Sequence, residues 1–167
     1  SNPQQLILNS ISSLIFLTTS HTEQYIDNSS LVIDSNAIKG VIGFIKNQTI
    51  SFDNITLTAN QHGVVLVYSP ELKPLKESKR LVVILMSEIK NKGSYWNANG
   101  QFQWGAAPTL IKHIAANIVI NTPKKFRVFG LRNNGERGNE LPLQKIDKLQ
   151  SFSVDSGIAP WYELIFD

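Results

Sequence analysis

Leu81-Val82-Val83-Ile84-Leu85-Met86 is the most hydrophobic run in the chain, and its length limits what it can be. Six apolar residues bounded by Arg80 and Ser87 are too few for a buried helix and fit a strand that is apolar on both faces. The run predicts the centre of a sheet. Val64 to Tyr68 has the same character and is stopped by Ser69-Pro70, so it predicts a second central strand. Further out, Thr49 to Phe52 and Ile55 to Thr58 alternate apolar and polar residues with period two, as half-buried strands do.

The same punctuation continues in both directions. Leu14 to Leu17, Tyr25 to Asp27 and Leu31 to Asp34 read as short extended pieces, with a turn at Asn28-Ser29-Ser30. Ile38 to Ile45 is extended, and its Gly40 and Gly43 suggest a bulge or a close backbone approach. Lys46-Asn47-Gln48 is a tight connection, and Glu71 to Lys79 is a polar connection with room for one helical turn. Thr109 to Ile120 alternates as a single strand, and Phe126 to Leu131 alternates after the turn at Thr122-Pro123-Lys124-Lys125. Asn133-Asn134-Gly135 marks a hairpin, because Asn and Gly tolerate positive φ. Leu141 to Ile146, Ser151 to Val154 and Trp161 to Phe166 close the chain as strands, with Trp161 expected in the core. No amphipathic helix of useful length is visible. About ten strands separated by Gly, Asn and Pro turns predict an all-β fold, an antiparallel β-sandwich of jelly-roll or immunoglobulin-like type in one domain.

Composition agrees with that reading. The 167 residues are 42% hydrophobic and 17% charged, against a globular norm of about 25% charged. A net charge of +3 with four arginines is too weak a basic balance for a nucleic-acid binder. There are no cysteines, which removes disulfides, thiolate nucleophiles and cysteine metal sites. No apolar run reaches the roughly 18 residues that a spanning helix needs, so no membrane partner is expected. Residues 1–13, beginning Ser1-Asn2-Pro3, read as an expression remnant and lead-in, and residues 14–167 as the sandwich. Location stays open, with a secreted or periplasmic one slightly favoured.

The chain offers no catalytic constellation. His21, His62 and His113 are scattered without metal-ligand spacing. Glu88, at the end of the central run, is expected to be a buried partner of a Lys or Arg. Gly40-Val41-Ile42-Gly43 lies within a strand and precedes no helix, so it is not a phosphate loop. Asn28, Asn47 and Asn54 each begin an Asn-X-Ser/Thr acceptor pattern, common in Asn-rich chains. Neither a catalytic residue, a metal nor a cofactor is predicted for this fragment.

The one segment that demands an explanation is Ser87 to Pro108. It holds Tyr95, Trp96, Phe102 and Trp104 in a stretch too rich in Gly, Asn and Ser for a regular strand. Three readings stand: Trp104 and Phe102 fold back as a lid over the sandwich edge, the loop packs on a neighbouring domain, or Tyr95, Trp96 and Trp104 form a sugar-stacking platform. The first is the leading expectation.

Several runs carry a resemblance. Thr19-Ser20-His21-Thr22-Glu23, Leu31 to Asp34 and Gly40 to Phe44 look like parts of the C-terminal β domain of bacterial glycoside-hydrolase-like proteins. So do Leu72 to Leu81 with its Lys-Glu-Ser-Lys-Arg-Leu run, Asn91-Lys92-Gly93, Trp96-Asn97, Trp104 to Leu110 with Trp-Gly-Ala-Ala-Pro, and Asn133-Asn134-Gly135. The likeness spans most of residues 14–166. Where that family carries an Ala-Glu-Asn-Thr-Gly-type string, this chain reads Ser87-Glu88-Ile89-Lys90-Asn91-Lys92-Gly93. The resemblance implies a non-catalytic accessory sandwich that packs against or borders a (β/α) barrel holding the catalytic acids. The alternatives are a carbohydrate-binding module that takes polysaccharide through its aromatic loop, and a protein-interaction domain.

Overall fold

The computed structural model describes residues 15–19, 22–27 and 30–167, with side chains from residue 30 onward. The lead-in at residues 1–13, His21 and the Asn28-Ser29 part of the first turn lie outside the described residues. The strands are β1 (Ile15–Thr19), β2 (Thr22–Asp27), β3 (Ser30–Ser35), β4 (Ile38–Gly43), β5 (Thr49–Ser51) and β6 (Ile55–Ala59). They continue as β7 (Gly63–Tyr68), β8 (Arg80–Met86), β9 (Ile89–Lys92), β10 (Tyr95–Trp96), β11 (Phe102–Gln103) and β12 (Ala106–Ile111). The last are β13 (Ala115–Asn121), β14 (Phe126–Leu131), β15 (Arg137–Glu140), β16 (Gln144–Ile146), β17 (Leu149–Asp155) and β18 (Trp161–Phe166). No helix occurs among the described residues.

Two antiparallel sheets face each other. One has nine strands in the order β1-β2-β3-β4-β7-β8-β18-β14-β15, and the other five, β16-β17-β13-β6-β5. The apolar runs Val64 to Tyr68 and Leu81 to Met86 are neighbours at the centre of the large sheet, where Leu66 pairs with Ile84 and Val67 with Val83. Their odd-numbered side chains, Val65, Val67, Leu81, Val83 and Leu85, point inward and are essentially sealed from solvent. They meet Ile55, Leu57, Ile118, Ile120, Phe152 and Val154 of the small sheet. This is the antiparallel β-sandwich the alternating runs predict.

Polar devices close the ends of the sandwich. Tyr162 is fully buried, and its hydroxyl donates to the carbonyl of Asp155 (2.8 Å) and accepts from the Asp155 amide (3.0 Å), as tyrosine corners do. Gln150 donates to the carbonyls of Thr122 and Lys124. Buried Lys39 pairs with Asp34 and with Asp53 at 3.0 Å, and Lys76 holds the other Asp53 oxygen at 2.5 Å. Gly40 is a close approach as expected: a Cβ there would lie 2.5 Å from the Val65 carbonyl of the neighbouring strand.

Four expectations need correction. Thr109 to Ile120 is not one strand. It breaks at Lys112-His113-Ile114, where the Ile114 amide donates to Ser156 Oγ and the Ala115 amide to Asn60 Oδ1. The piece before the break belongs to a separate ribbon, and the piece after it to the small sheet. Of the expected strand Leu141 to Ile146 only Gln144–Ile146 forms, as β16; Leu141-Pro142-Leu143 links it to the end of β15 at Glu140. Trp161 is not core: the inward positions of β18 are Tyr162 and Leu164, and Trp161 lies on the opposite face, 40% exposed. Glu88 is not buried either. It sits at the base of the ribbon, more than half exposed, paired with Lys90 at 3.2 Å.

Candidate functional site

The segment after β8 leaves the sandwich as a two-stranded arm. Ser87 Oγ donates to the His62 carbonyl (2.9 Å), and the Lys112 amide donates to the Glu88 carbonyl (2.9 Å), which fixes the base. Strands β9 and β12 then pair with Ile89 opposite Ile111 and Asn91 opposite Thr109, the latter pair joined side chain to side chain at 3.0 Å. The register shifts between Ala106 and Thr109, so the Trp-Gly-Ala-Ala-Pro run forms a bulge. Gly105 is needed there: its φ is +65°, and a Cβ would lie 2.3 Å from the Lys92 carbonyl.

Beyond the bulge, β10 and β11 form the tip. Asn97 organises the turn. Its Oδ1 accepts from the amides of Asn99 (3.0 Å) and Gln101 (2.9 Å), while its own amide donates to the Gln101 carbonyl (2.9 Å). Asn is the residue for this task because its short amide bonds to backbone two or more residues on.

The four singled-out rings all lie on the arm. Trp96 is opposite Phe102 in the ladder, and Phe102 is two residues before Trp104, so these three share one face of the ribbon. Ring centroids are 5.1 Å apart for Trp96–Phe102 and 5.0 Å for Phe102–Trp104, the second pair perpendicular. Phe102 is the half-buried wedge, whereas Trp96 is 70% and Trp104 75% exposed. Tyr95, opposite Gln103, is on the other face and is also exposed. The expectation that the rings form a lid over the sandwich edge is therefore overturned. The arm's own ladder carries the rings away from the core, and no described part of the sandwich covers Trp96 or Trp104.

A second cluster was not expected from the sequence. Glu163, on the outer face of the large sheet, is buried and clamped by two half-exposed arginines, Arg80 and Arg137, the second with Nε 2.6 Å from a carboxylate oxygen. Arg127 and Arg137 both lie 5.5 Å from the Phe129 ring centroid. A lone carboxylate inside the alternating run Trp161 to Phe166 was the available signal, but its partners come from strands distant in sequence. Both carboxylate oxygens of Glu163 are thus taken up by guanidinium groups.

Nothing else among the described residues gathers reactive groups. Among the described residues no three His, Asp or Glu side chains could hold a metal. His62 is an exposed turn residue, as expected, whose Nδ1 accepts from the Lys46 amide; His113 is exposed in the break before β13. Comparison with protein-family models, with curated proteins and with solved structures finds no match.

Proposed function

We propose that this chain is a non-catalytic β-sandwich accessory module that docks on a neighbouring folded domain, with Trp96, Phe102 and Trp104 as the anchor. The carrying observation is the exposure of Trp96 and Trp104 on an arm that leaves the core. Isolated two-stranded ribbons are marginal in water, and large exposed rings are the usual anchors of protein interfaces. By the sequence resemblance, the neighbouring domain is the (β/α) barrel of a glycoside-hydrolase-like protein, and the arm borders its cleft without adding proton chemistry.

A sugar platform is the second reading, favoured by the open faces of Trp96 and Trp104. Against it, the three rings are tilted or perpendicular to one another and stand on a projecting arm, whereas sugar sites offer a concavity.

The test supplies the barrel in trans, expressed from the reading frame preceding this segment, and measures binding by calorimetry. The wild-type chain is expected to bind. The Trp96→Ala/Trp104→Ala variant is expected to lose at least tenfold in affinity, the loss of one hot-spot residue being about 2 kcal/mol or more. Equal binding by both forms would defeat the reading. Retardation of the wild type, but not the variant, in gels containing soluble polysaccharide would support sugar binding instead. The isolated chain is expected to turn over no chromogenic glycoside.

A further inference from the structure

The tip of the arm carries a reactive backbone step. Asn99-Gly100 is one of two Asn-Gly steps in the chain, the other being Asn134-Gly135. In such a step the glycine nitrogen, having lost its proton, can attack the side-chain amide carbon of the asparagine before it. Glycine has no side chain to screen that nitrogen and lets the main chain turn to the angle required. Both steps lie in exposed turns. Both glycines have positive φ, +73° at Gly100 and +82° at Gly135, with nothing within 4 Å of a Cβ built on either.

The two turns hold their asparagines differently. Asn134 Oδ1 accepts from the Glu136 amide (3.1 Å), the Gly135 amide donates to the Arg132 carbonyl (2.8 Å), and the Arg132 amide donates to the Glu136 carbonyl (2.8 Å). Arg132 and Glu136 also pair across the turn at 3.6 Å. At the tip of the arm the Gly100 amide donates to the Asn97 carbonyl (3.0 Å) and the Asn99 amide to Asn97 Oδ1 (3.0 Å). No described residue bonds the Asn99 side chain, so its amide can swing toward the Gly100 nitrogen. Charge adds to the difference. Residues 93–111 carry no Asp or Glu, whereas Glu136 follows Gly135 directly, and a neighbouring carboxylate disfavours the nitrogen anion that attacks.

We propose that Asn99 is a site of spontaneous deamidation, an ageing mark at the tip of the arm. The Gly100 nitrogen bonds to the Asn99 side-chain carbon, and the bond from that carbon to Nδ2 breaks. Nδ2 leaves as ammonia, taking up a proton in place of the one the Gly100 nitrogen gave to solvent. Water then opens the five-membered imide at either carbonyl. One opening leaves aspartate at position 99. The other leaves isoaspartate, with the main chain running through the former side-chain carbon. The sequence consumes water and base catalysis only, with no oxidant or reductant. Either product puts a negative charge into an uncharged stretch. Isoaspartate also lengthens the main chain by one carbon inside the turn that Asn97 organises. The inference holds whatever the rings of the arm meet.

The test keeps the folded chain in mildly alkaline buffer and follows both steps by peptide mapping, with a fragmentation that separates isoaspartate from aspartate. Asn99 is expected to convert roughly fivefold faster than Asn134, the factor that one net hydrogen bond to the side chain is worth. In urea the two rates should converge, because the turn bonds that separate them are gone. Gly100→Ala should slow conversion at the tip. Asn99→Gln, whose amide stands one carbon further from the nitrogen, should stop it. A methyltransferase specific for isoaspartate should label the aged wild type at the tip and leave the aged Asn99→Gln variant unlabelled there. In the aged protein, amide exchange should quicken at Ala98 to Gln103 and stay unchanged at Ile89 to Lys92. An Asn99 that stays intact in the folded chain, an Asn134 that converts as fast, or a tip whose exchange is indifferent to isoaspartate would overturn the proposal.

Discussion

Three residue clusters decide how the sandwich responds to mutation and pH. For Lys39, burial works against the charge, but the hydrogen bonds to Asp34 and Asp53 outweigh it and raise its pKa above the ordinary 10.5. For Asp53, burial works against the charge too, and the bonds from Lys76 and Lys39 prevail, so its pKa falls below 3.8. The signs follow by linkage. The folded carboxyl releases its proton more readily than the unfolded one, so Asp53 adds stability above the unfolded pKa and loses it as pH falls through the folded value. Lys39 adds stability below its unfolded pKa and loses it as pH rises through the raised one. We expect urea midpoints to decline below about pH 4 and above about pH 10. In Asp53→Asn the acid-side decline should be shallower; an unchanged acid limb would refute the assignment. Tyr162→Phe strips the donor to the Asp155 carbonyl and the acceptor of its amide without opening a cavity. A loss of about 1–3 kcal/mol in urea unfolding is expected. The third cluster is Glu163 with Arg80 and Arg137. Arg80→Met/Arg137→Met keeps the carboxylate covered but unpaired, and should cost about 3–5 kcal/mol. Adding Glu163→Leu should restore most of it; no recovery would mean that the pairing is not what holds this face.

At the scale of elements, the arm is separable from the sandwich. Its strands pair only as β9 with β12 and β10 with β11, and its base is tied by the Ser87–His62 and Lys112–Glu88 bonds. Gly105→Val should therefore unravel the arm while leaving the core intact. The Cβ meets the Lys92 carbonyl, and a β-branched residue resists a φ of +65°. Amide exchange should accelerate at Lys90 to Leu110, with a global unfolding free energy changed by less than about 1 kcal/mol, because no core contact is lost. A large global loss would show that the arm is integral to the fold. The strands were the legible part of the sequence, because period two and apolar runs are local signals. Leu81 to Met86, Val64 to Tyr68 and Asn133-Asn134-Gly135 carried their elements plainly. The arm was legible only as an anomaly. A four-residue ladder shifted by a bulge has no clean period, so the aromatic residues could be picked out while their direction could not. The break at Lys112-His113-Ile114 was hidden for a related reason: Leu110, Ile114, Ile118 and Ile120 keep an apolar rhythm through it, and the bonds that cause it come from Ser156 and Asn60.

For the molecule as a whole, the two faces of the large sheet look alike in sequence and differ in physics. Ile84 and Leu85 are neighbours on β8, the first half-buried on the outer face, the second sealed between the sheets. Periodicity could not separate them, because a strand that is apolar on both faces gives no phase. Trp161 was misplaced for the same reason, since only the register against β8 and β14 tells which residues of β18 point inward. Truncation tells the faces apart experimentally. Both changes to Ala remove a similar side chain from the same strand, so the loss of β-propensity nearly cancels between them. Leu85→Ala opens a cavity among Val65, Val83 and their neighbours and should cost about 2–5 kcal/mol in the isolated chain. Ile84→Ala opens no enclosed cavity and forfeits burial only against its flanking strands, so about 1 kcal/mol is expected. If Ile84→Ala instead costs as much as Leu85→Ala, the outer face is already covered within this chain. If the two separate as expected, the inner face is what holds the chain folded and the outer face contributes little to it.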